Sequence, residues 1–176
     1  MAPLGELYSR YGGAVRSLLW RLLPNDSVAD VEDLCHEVFE ILYKTADRFR
    51  QDCALRPWIF GIAARRARSS QRKLWLRSRL LKRYVHEQKV TAVNVVNSPD
   101  DKDVTLHQIG QVMTMLPHAQ REVLVLAVNH NLSGEQIAET LGININTVWT
   151  RLRRARISVR EALTEMNREK DGDEEK

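Results

Sequence analysis

The stretch Leu132–Arg156, LSGEQIAETLGININTVWTRLRRAR, decides the fold of the C-terminal half of the chain. Ser133 is placed to cap a first short helix, and Gln136, three residues later, completes the pattern of a capping box. Gly142 follows the last apolar residue of that helix, where a residue with positive φ is favoured, and Asn144 is placed to cap the next helix. Two short helices joined by a glycine turn predict a helix-turn-helix.

The second of these helices has an apolar face and a polar face. Val148, Leu152 and Ala155 recur at i, i+4 and i+7, so we expect them to point inward. The roughly opposite side carries Asn146, Thr150 and Arg153, flanked by Trp149 and Arg154. Amide, hydroxyl and guanidinium groups at the start of a helix are the groups that read base edges in a major groove. The alternative is a pair of surface helices with a solvated polar face, but the caps, the glycine and the inward residues all agree with one DNA-binding geometry.

Charge is distributed unevenly along the 176 residues, although the formal net charge is only +4. Residues 56–89 carry 11 Lys/Arg against one Asp/Glu, whereas residues 1–55 and 90–176 each have a small acidic excess. A surface that serves only solubility normally has positive and negative charges interspersed. A concentrated basic block therefore predicts contact with a polyanion, because neutralising phosphates and releasing their counterions dominates non-specific nucleic-acid affinity.

Composition and motifs favour an intracellular protein without catalytic chemistry. Cys35 and Cys53 form no CxxC pair and suit a reduced, cytoplasmic protein better than a disulfide scaffold. A metal site at Cys35, His36 and Cys53 is disfavoured, because no fourth ligand lies at a suitable spacing. Signal-peptide and membrane-spanning patterns, phosphate-binding loops, nucleophile elbows and HExxH helices are all missing from this sequence. We expect no enzymatic activity, no cofactor, no metal and no small-molecule substrate.

Periodicity predicts three helices in the N-terminal half. The first covers residues 4–23, with Gly12 and Gly13 weakening its centre. The second runs from about residue 27 to residue 46. One of its faces is acidic; its inner stripe comprises Val31, Leu34, Cys35, Val38, Leu42 and Tyr43. A loop over residues 49–55 precedes the third helix, which has Pro57 in its first turn and an apolar side at Trp58, Ile59, Ile62 and Ala63. Its pattern persists to Tyr84.

The remaining chain predicts a linker and a second helical domain. Residues 85–98 have no helical period and are best explained as an interdomain linker, although their valines leave an isolated strand as the alternative. Ser98-Pro99-Asp100-Asp101 starts a helix towards Met115, and Leu116-Pro117 starts another. We therefore predict an all-α protein of two small helical domains, residues 1–84 and 99–166. The tail, residues 167–176, is expected to be frayed and disordered.

Two segments in this order resemble the extracytoplasmic-function sigma factors, the small two-domain promoter-recognition subunits of bacterial RNA polymerase. The first comprises Asp33-Leu-Cys-His-Glu-Val-Phe39, Phe49 and Pro57-Trp-Ile-Phe-Gly-Ile-Ala63. The second comprises Leu116-Pro117, Arg121-Glu-Val-Leu124 and the helix-turn-helix. The helix-turn-helix alone is only moderately specific, but the combination at this spacing is specific to that family.

The resemblance implies a role for each matching segment. Residues implied to dock on the largest subunit of core RNA polymerase are Asp33, Leu34, Glu37, Val38 and Phe39, with Phe39 equally consistent with a core position. Residues implied to bind the minus-ten promoter element are Arg50, Gln51, Asp52, Arg56, Trp58, Arg65, Arg66, Arg68, Arg72 and Lys73. The loop from Arg50 would hold a base flipped from the opened strand, and the cations would hold its phosphates.

The helix-turn-helix in the C-terminal half is implied to read the minus-thirty-five promoter element. The implied contacts are Asn146, Thr147, Trp149, Thr150, Arg153 and Arg154. Trp149 and Asn146 stand where the family often has a basic residue and glycine, so the promoter sequence does not follow from the resemblance. Packing on the preceding helix is the favoured interpretation of Trp149, and contact with a sugar or a thymine methyl group is the alternative.

The resemblance implies core RNA polymerase and promoter DNA as partners, with an anti-sigma protein as a further one. A stand-alone helix-turn-helix regulator that binds duplex DNA without polymerase is the main rival. It has no need of the 33–39 segment or of the basic helix after Pro57. A serine recombinase fragment is the enzymatic rival, and it requires strands that the N-terminal half does not predict.

Overall fold

The computed structural model describes residues 4–23, 28–49, 54–84 and 111–173. The described helices are α1 (Leu4–Leu22), α2 (Val28–Lys44), α3 (Leu55–Tyr84), α4 (residues 111–115), α5 (His118–Val128), α6 (Gly134–Leu141) and α7 (Ile145–Asp173), with a 3-10 turn at Ala46–Arg48. The chain divides into two compact units. The front unit contains α1, α2 and α3, and the rear unit contains α4, α5, α7 and the greater part of α6. The described part of the chain contains no strand, which agrees with the all-α prediction.

The front unit is a bundle in which α1, α2 and α3 all pack on one another. Its interior is aliphatic and includes Val15, Leu18, Leu19, Leu22, Val38, Leu42 and Ile59, each fully buried. The predicted inner stripe of α2 is confirmed except at Tyr43, which is 68% exposed. Tyr43 stands one residue from Leu42 near the end of α2, so its side chain points about 100° away from the core.

Helix α1 is continuous across Gly12 and Gly13, where the sequence predicted a weak centre. Gly12 is itself buried, and a Cβ there would meet only the Tyr8 ring at an ordinary 3.6 Å. The apolar burial on either side of the pair, at Leu7 and at Val15, outweighs the cost of about 1 kcal/mol that each glycine adds to a helix.

The rear unit buries apolar side chains from each of its helices. Val112 of α4, Val123 and Leu126 of α5, Ile137 of α6 and Val148 of α7 are all at most 1% exposed. Helix α5 packs along α7, so the helix-turn-helix is supported from behind by an apolar layer.

The predicted linker, residues 85–98, and the predicted helix start at Ser98 lie outside the described residues. The end of the chain differs from its prediction, because α7 continues to Asp173 although fraying was expected after Asn167. The residues beyond Asn167 include Arg168, Glu169 and Lys170, which have high intrinsic helix propensity and extend an existing helix without a new nucleation step.

Candidate nucleic-acid interface

The turn between α6 and α7 has the geometry that the sequence predicted. The Gln136 backbone N–H donates to Ser133 Oγ at 3.2 Å, and the Ser133 N–H donates to Gln136 Oε1 at 2.9 Å, which closes a capping box. Gly142 has φ +64°, and the Ile143 N–H reaches back to the Ala138 carbonyl at 3.0 Å. These contacts end α6 in a Schellman motif.

Helix α7 begins at the other side of this turn. Asn144 Oδ1 accepts a hydrogen bond from the Asn146 N–H at 2.8 Å and so caps the first turn. The inward set is confirmed, since Val148, Leu152 and Ala155 are all buried. The outward set is exposed at Asn146, Trp149, Thr150, Arg153 and Arg154, and Thr147 is half-buried.

Trp149 packs on the preceding helix, as the favoured interpretation predicted. A Cβ built on Gly134 would lie 2.5 Å from Trp149 Cζ2 and 2.7 Å from Cη2, so the indole ring lies directly on the first turn of α6. The side chain nevertheless remains 50% exposed. The ring is therefore held by packing while half of the side chain stays accessible.

Arg121 fixes the helix that supports this face. It is 6% exposed and its Nη2 donates to the Thr114 carbonyl at 2.8 Å and the Leu116 carbonyl at 3.0 Å, at the end of α4. Burial lowers the pKa of the Arg121 guanidinium, although arginine remains charged at any physiological pH. The neighbouring Glu122 is also buried, at 1% exposed. Arg121 and Glu122 of the family motif are therefore interior residues of the rear unit, where Arg121 ties α5 to the end of α4.

The predicted minus-ten cations of α3 lie on different sides of the helix. At 100° per residue, Arg65, Arg68 and Arg72 fall on one face, and all three are exposed. Arg66 points elsewhere and forms an ion pair with Glu37 of α2. Lys73 is exposed but lies about 100° from Arg72. The structure therefore brings three of these cations into one row and ties a fourth to the bundle.

The first turns of α3 hold the other minus-ten residues. Trp58 is half-buried, and its ring centroid lies 4.9 Å from that of Phe49. Arg56 is exposed, with its guanidinium 5.2 Å from the centroid of Phe60. The predicted base-pocket residues Arg50, Gln51 and Asp52 lie outside the described residues.

The predicted polymerase-binding residues divide between surface and core. Leu34, Val38 and Phe39 are at most 9% exposed, and the Phe39 ring packs 4.8 Å from Tyr8. Asp33 is exposed, and the Glu37 side chain is 46% exposed. The apolar members of the motif therefore hold α2 in the bundle, and the carboxylates form the surface that a partner can reach.

Among the described residues, no group of three or more His, Cys, Asp or Glu side chains is arranged to hold a metal ion. In the same part of the chain, no helix has both the length and the apolar character to cross a membrane. Burial raises the pKa of the Cys35 thiol, which is 0% exposed.

Family models match both units of the chain. The model for sigma-70 region 2 matches residues 7–77, and the model for sigma-70 region 4 matches residues 106–159. The chain belongs to the extracytoplasmic-function sigma factors. As a sigma factor it binds RNA polymerase and promoter DNA.

Curated relatives of this sigma factor align over nearly its full length. The RNA polymerase sigma factor CarQ of Myxococcus xanthus is 28% identical over 166 residues, which cover 93% of this chain and 91% of CarQ. The ECF RNA polymerase sigma factor SigW of Bacillus subtilis (strain 168) is 28% identical over 170 residues, which cover 92% of this chain and 89% of SigW.

Solved structures share the fold of this sigma factor. The sigma factor RpoE in its complex with the anti-sigma factor NepR, from Bartonella quintana, has a TM-score of 0.69 at 24% identity, over 91% of this chain and 96% of that one. CnrH in complex with the cytosolic domain of CnrY has a TM-score of 0.65 at 22% identity, over 92% of this chain and 87% of that one.

The motif-based reading missed two residues of α3. Trp75 and Arg79 fall on the same face as Arg65, Arg68 and Arg72, and both are exposed. Their spacing of three and then four residues after Arg72 continues the row and was present in the sequence. The predicted set stops at Lys73, although the basic pattern of the helix continues beyond it.

Proposed function

We propose that this sigma factor divides its tasks between its two units: the front unit binds core RNA polymerase and an opened promoter strand, and the rear unit binds duplex promoter DNA. The observation that carries this proposal is the charge of α3, which has ten Lys/Arg and no Asp/Glu in 30 residues. A helix of this kind suits a polyanion held along its length. We assign no catalytic chemistry to the chain itself.

The polymerase contact is assigned to the acidic side of α2. Asp33 and Glu37 are four residues apart and so lie on one face of the helix. Because Leu34, Val38 and Phe39 are buried, we assign them the role of fixing this face rather than touching the partner. Glu37 also pairs with Arg66, so one of the two carboxylates on this face holds a cation of α3 against α2.

The promoter contacts are assigned to two helices. Arg65, Arg68 and Arg72 of α3 neutralise phosphates of the opened strand, which offsets part of the few kcal/mol needed to unstack a base. The start of α7 enters a major groove of the upstream element with Asn146, Thr150 and Arg153 towards the bases. Thr147, Trp149 and Arg154 flank them.

An anti-sigma protein is proposed as a further partner. The two similar solved structures are complexes with NepR and with CnrY. Such a partner would act by covering the α2 carboxylates or the DNA-facing residues, since either surface has to be free for transcription.

Co-elution with core RNA polymerase tests the polymerase assignment. We expect Asp33→Asn and Glu37→Gln each to weaken binding to core enzyme by roughly tenfold, about 1.4 kcal/mol, without loss of helicity by circular dichroism. Glu6→Lys, an exposed change on α1, is the matched control and should co-elute normally. Normal co-elution of the α2 variants would contradict the assignment. A chain that binds duplex DNA tightly but never co-elutes would favour the stand-alone regulator.

Open-complex formation tests the DNA assignment of α3. We expect Arg68→Glu to weaken it more than tenfold while core binding changes little, because a repelling charge replaces a phosphate contact. Arg66→Glu is not used for this test, because it would set two carboxylates side by side at Glu37 and so also change the α2 surface. Arg21→Glu on α1 is the control. Equal losses in core binding and strand opening would refute the assignment of polymerase binding to α2 and of strand binding to α3.

A further inference from the structure

The exposed face of α3 continues beyond the part that packs in the bundle. Gln71 Nε2 donates to the Leu22 carbonyl at 2.7 Å and ties α3 to the end of α1. Residues 72–76, which follow, are all exposed, including Leu74 at 48%, Trp75 at 56% and Leu76 at 45%. Five consecutive exposed residues occupy every side of a helix, so this part of α3 extends beyond the core of the front unit.

The exposed row on α3 consists of Arg65, Arg68, Arg72, Trp75 and Arg79, which we call the arginine-tryptophan row. Their spacing of three, four, three and four residues keeps all five within an arc of about 80° and over a length of about 21 Å. All five side chains are exposed. The row is continuous, and its only aromatic member is near its far end.

Trp75 is held in a defined position within the row. The Arg79 guanidinium carbon lies 5.0 Å from the centroid of the Trp75 ring, a cation–π contact between residues one helical turn apart. The indole remains 56% exposed despite this contact. An indole that is positioned by a cation and still accessible has the features of a platform on which a nucleic-acid base stacks.

We propose that the arginine-tryptophan row binds single-stranded nucleic acid, with the arginines on successive phosphates and Trp75 stacked on an unpaired base. This inference rests on the proposed function, in which the front unit meets an opened strand. It adds a base contact at Trp75, beyond the residues matched to the minus-ten element. The contact is tolerant of sequence, because every base offers a π-face.

A single strand fits this face better than other partners. Leu74, Trp75 and Leu76 are consecutive and so point about 100° apart, which does not form the broad apolar face of a membrane-surface helix. A second copy of the chain would bring another helix with ten cations and no acid against this one, and like charges would repel. Intact duplex keeps its base faces stacked inside, where an indole cannot reach them without unstacking a step.

The test compares two strands of equal charge. Fluorescence anisotropy of the full chain at low salt is measured with labelled oligo-dT of 12 nucleotides and with a 12-unit strand of abasic deoxyribose phosphates. We expect the wild-type chain to bind oligo-dT about tenfold more tightly than the abasic strand. Trp75→Ala should remove this preference and Trp75→Phe should largely retain it. Arg72→Glu should weaken binding to both strands.

Trp20→Ala is the matched control, because Trp20 is similarly exposed, at 48%, but lies on α1. It should keep the wild-type preference. The inference is overturned if the wild-type chain binds neither strand, if it shows no preference for oligo-dT, or if Trp75→Ala keeps the preference. It is also overturned if the emission difference between the wild-type chain and Trp75→Ala, which isolates Trp75 from the other three tryptophans, shifts to the blue with phosphatidylserine vesicles and not with oligo-dT.

These outcomes separate the inference from the proposed function. A Trp75→Ala chain that co-elutes with core polymerase and opens promoters, but also keeps the oligo-dT preference, contradicts the inference alone. A wild-type chain that neither co-elutes nor opens promoters contradicts the proposed function, whatever its oligonucleotide binding.

Discussion

At the scale of single residues, Gly134 and Trp149 show how packing shapes the outward surface of the helix-turn-helix. We expect Gly134→Ala to displace the Trp149 ring, because the new Cβ would lie 2.5 Å from the present position of Cζ2. The free energy of unfolding of the rear unit should fall by about 1 kcal/mol in the wild-type background. In a Trp149→Ala background the same change should be neutral or stabilising, since alanine is the better helix former.

A double-mutant cycle by chemical denaturation measures this coupling. Additive effects of Gly134→Ala and Trp149→Ala would show that the ring does not rest on α6. The packing interpretation of Trp149 came from the sequence, but the glycine that makes room for it did not, because the contact depends on the angle between α6 and α7.

Cys35 is a second residue whose behaviour follows from its surroundings. It is 0% exposed, and burial raises the pKa of its thiol, so the reactive thiolate is scarce at neutral pH. We expect alkylation of Cys35 by iodoacetamide to be at least about tenfold slower in the folded chain than in denaturant. Mass spectrometry of the peptide that contains Cys35 measures both rates. Equal rates would show that this part of α2 opens readily.

At the scale of elements, the capping box sets the start of α6. Ser133→Ala removes the hydroxyl that accepts the Gln136 N–H, and we expect a loss of about 1 kcal/mol in the unfolding free energy of the rear unit. Thr164→Ala on α7 is the control, because that hydroxyl only bonds the Arg160 carbonyl within the helix. Thermal unfolding of both variants gives the comparison. Equal small effects would mean that α6 does not depend on its cap.

Local signals of this kind explain why the helix-turn-helix was predictable from sequence. Ser133, Gln136, Gly142 and Asn144 each specify a backbone geometry within a few residues, and each geometry is present. Elements that depend on distant contacts were predicted less well. The continuous α1 relies on burial of Leu7 and Val15 on either side of its glycines. The extension of α7 to Asp173 has a local cause instead, because charged residues of high helix propensity continue an existing helix.

The candidate sites show the same division between local and tertiary information. Periodicity correctly separated inward from outward residues on α7. On α2 and α3, a motif alone did not separate surface residues from core residues. Val38 proved fully buried and Arg66 proved to be paired with Glu37, and both facts depend on how α2 and α3 pack. The roles of Arg50, Gln51 and Asp52 stay predictions.

At the scale of the whole molecule, the chain combines a front unit whose last helix carries ten cations and no acid with a rear unit built on a helix-turn-helix. A duplex-binding regulator needs only the second of these. The basic helix and the exposed α2 carboxylates are explained together when one partner is a protein and the other is an opened strand.

Transcription in vitro is the direct test of this pairing of a protein contact with an opened strand. Purified bacterial core RNA polymerase is supplied with the full chain and a library of templates with randomised promoters, and the transcripts are sequenced. We expect chain-dependent transcripts from templates that share two sequence elements, one upstream and one near the start site, with Arg68→Glu greatly reducing their yield. Transcripts identical with and without the chain, or enrichment of a single element read by α7 alone, would contradict this expectation.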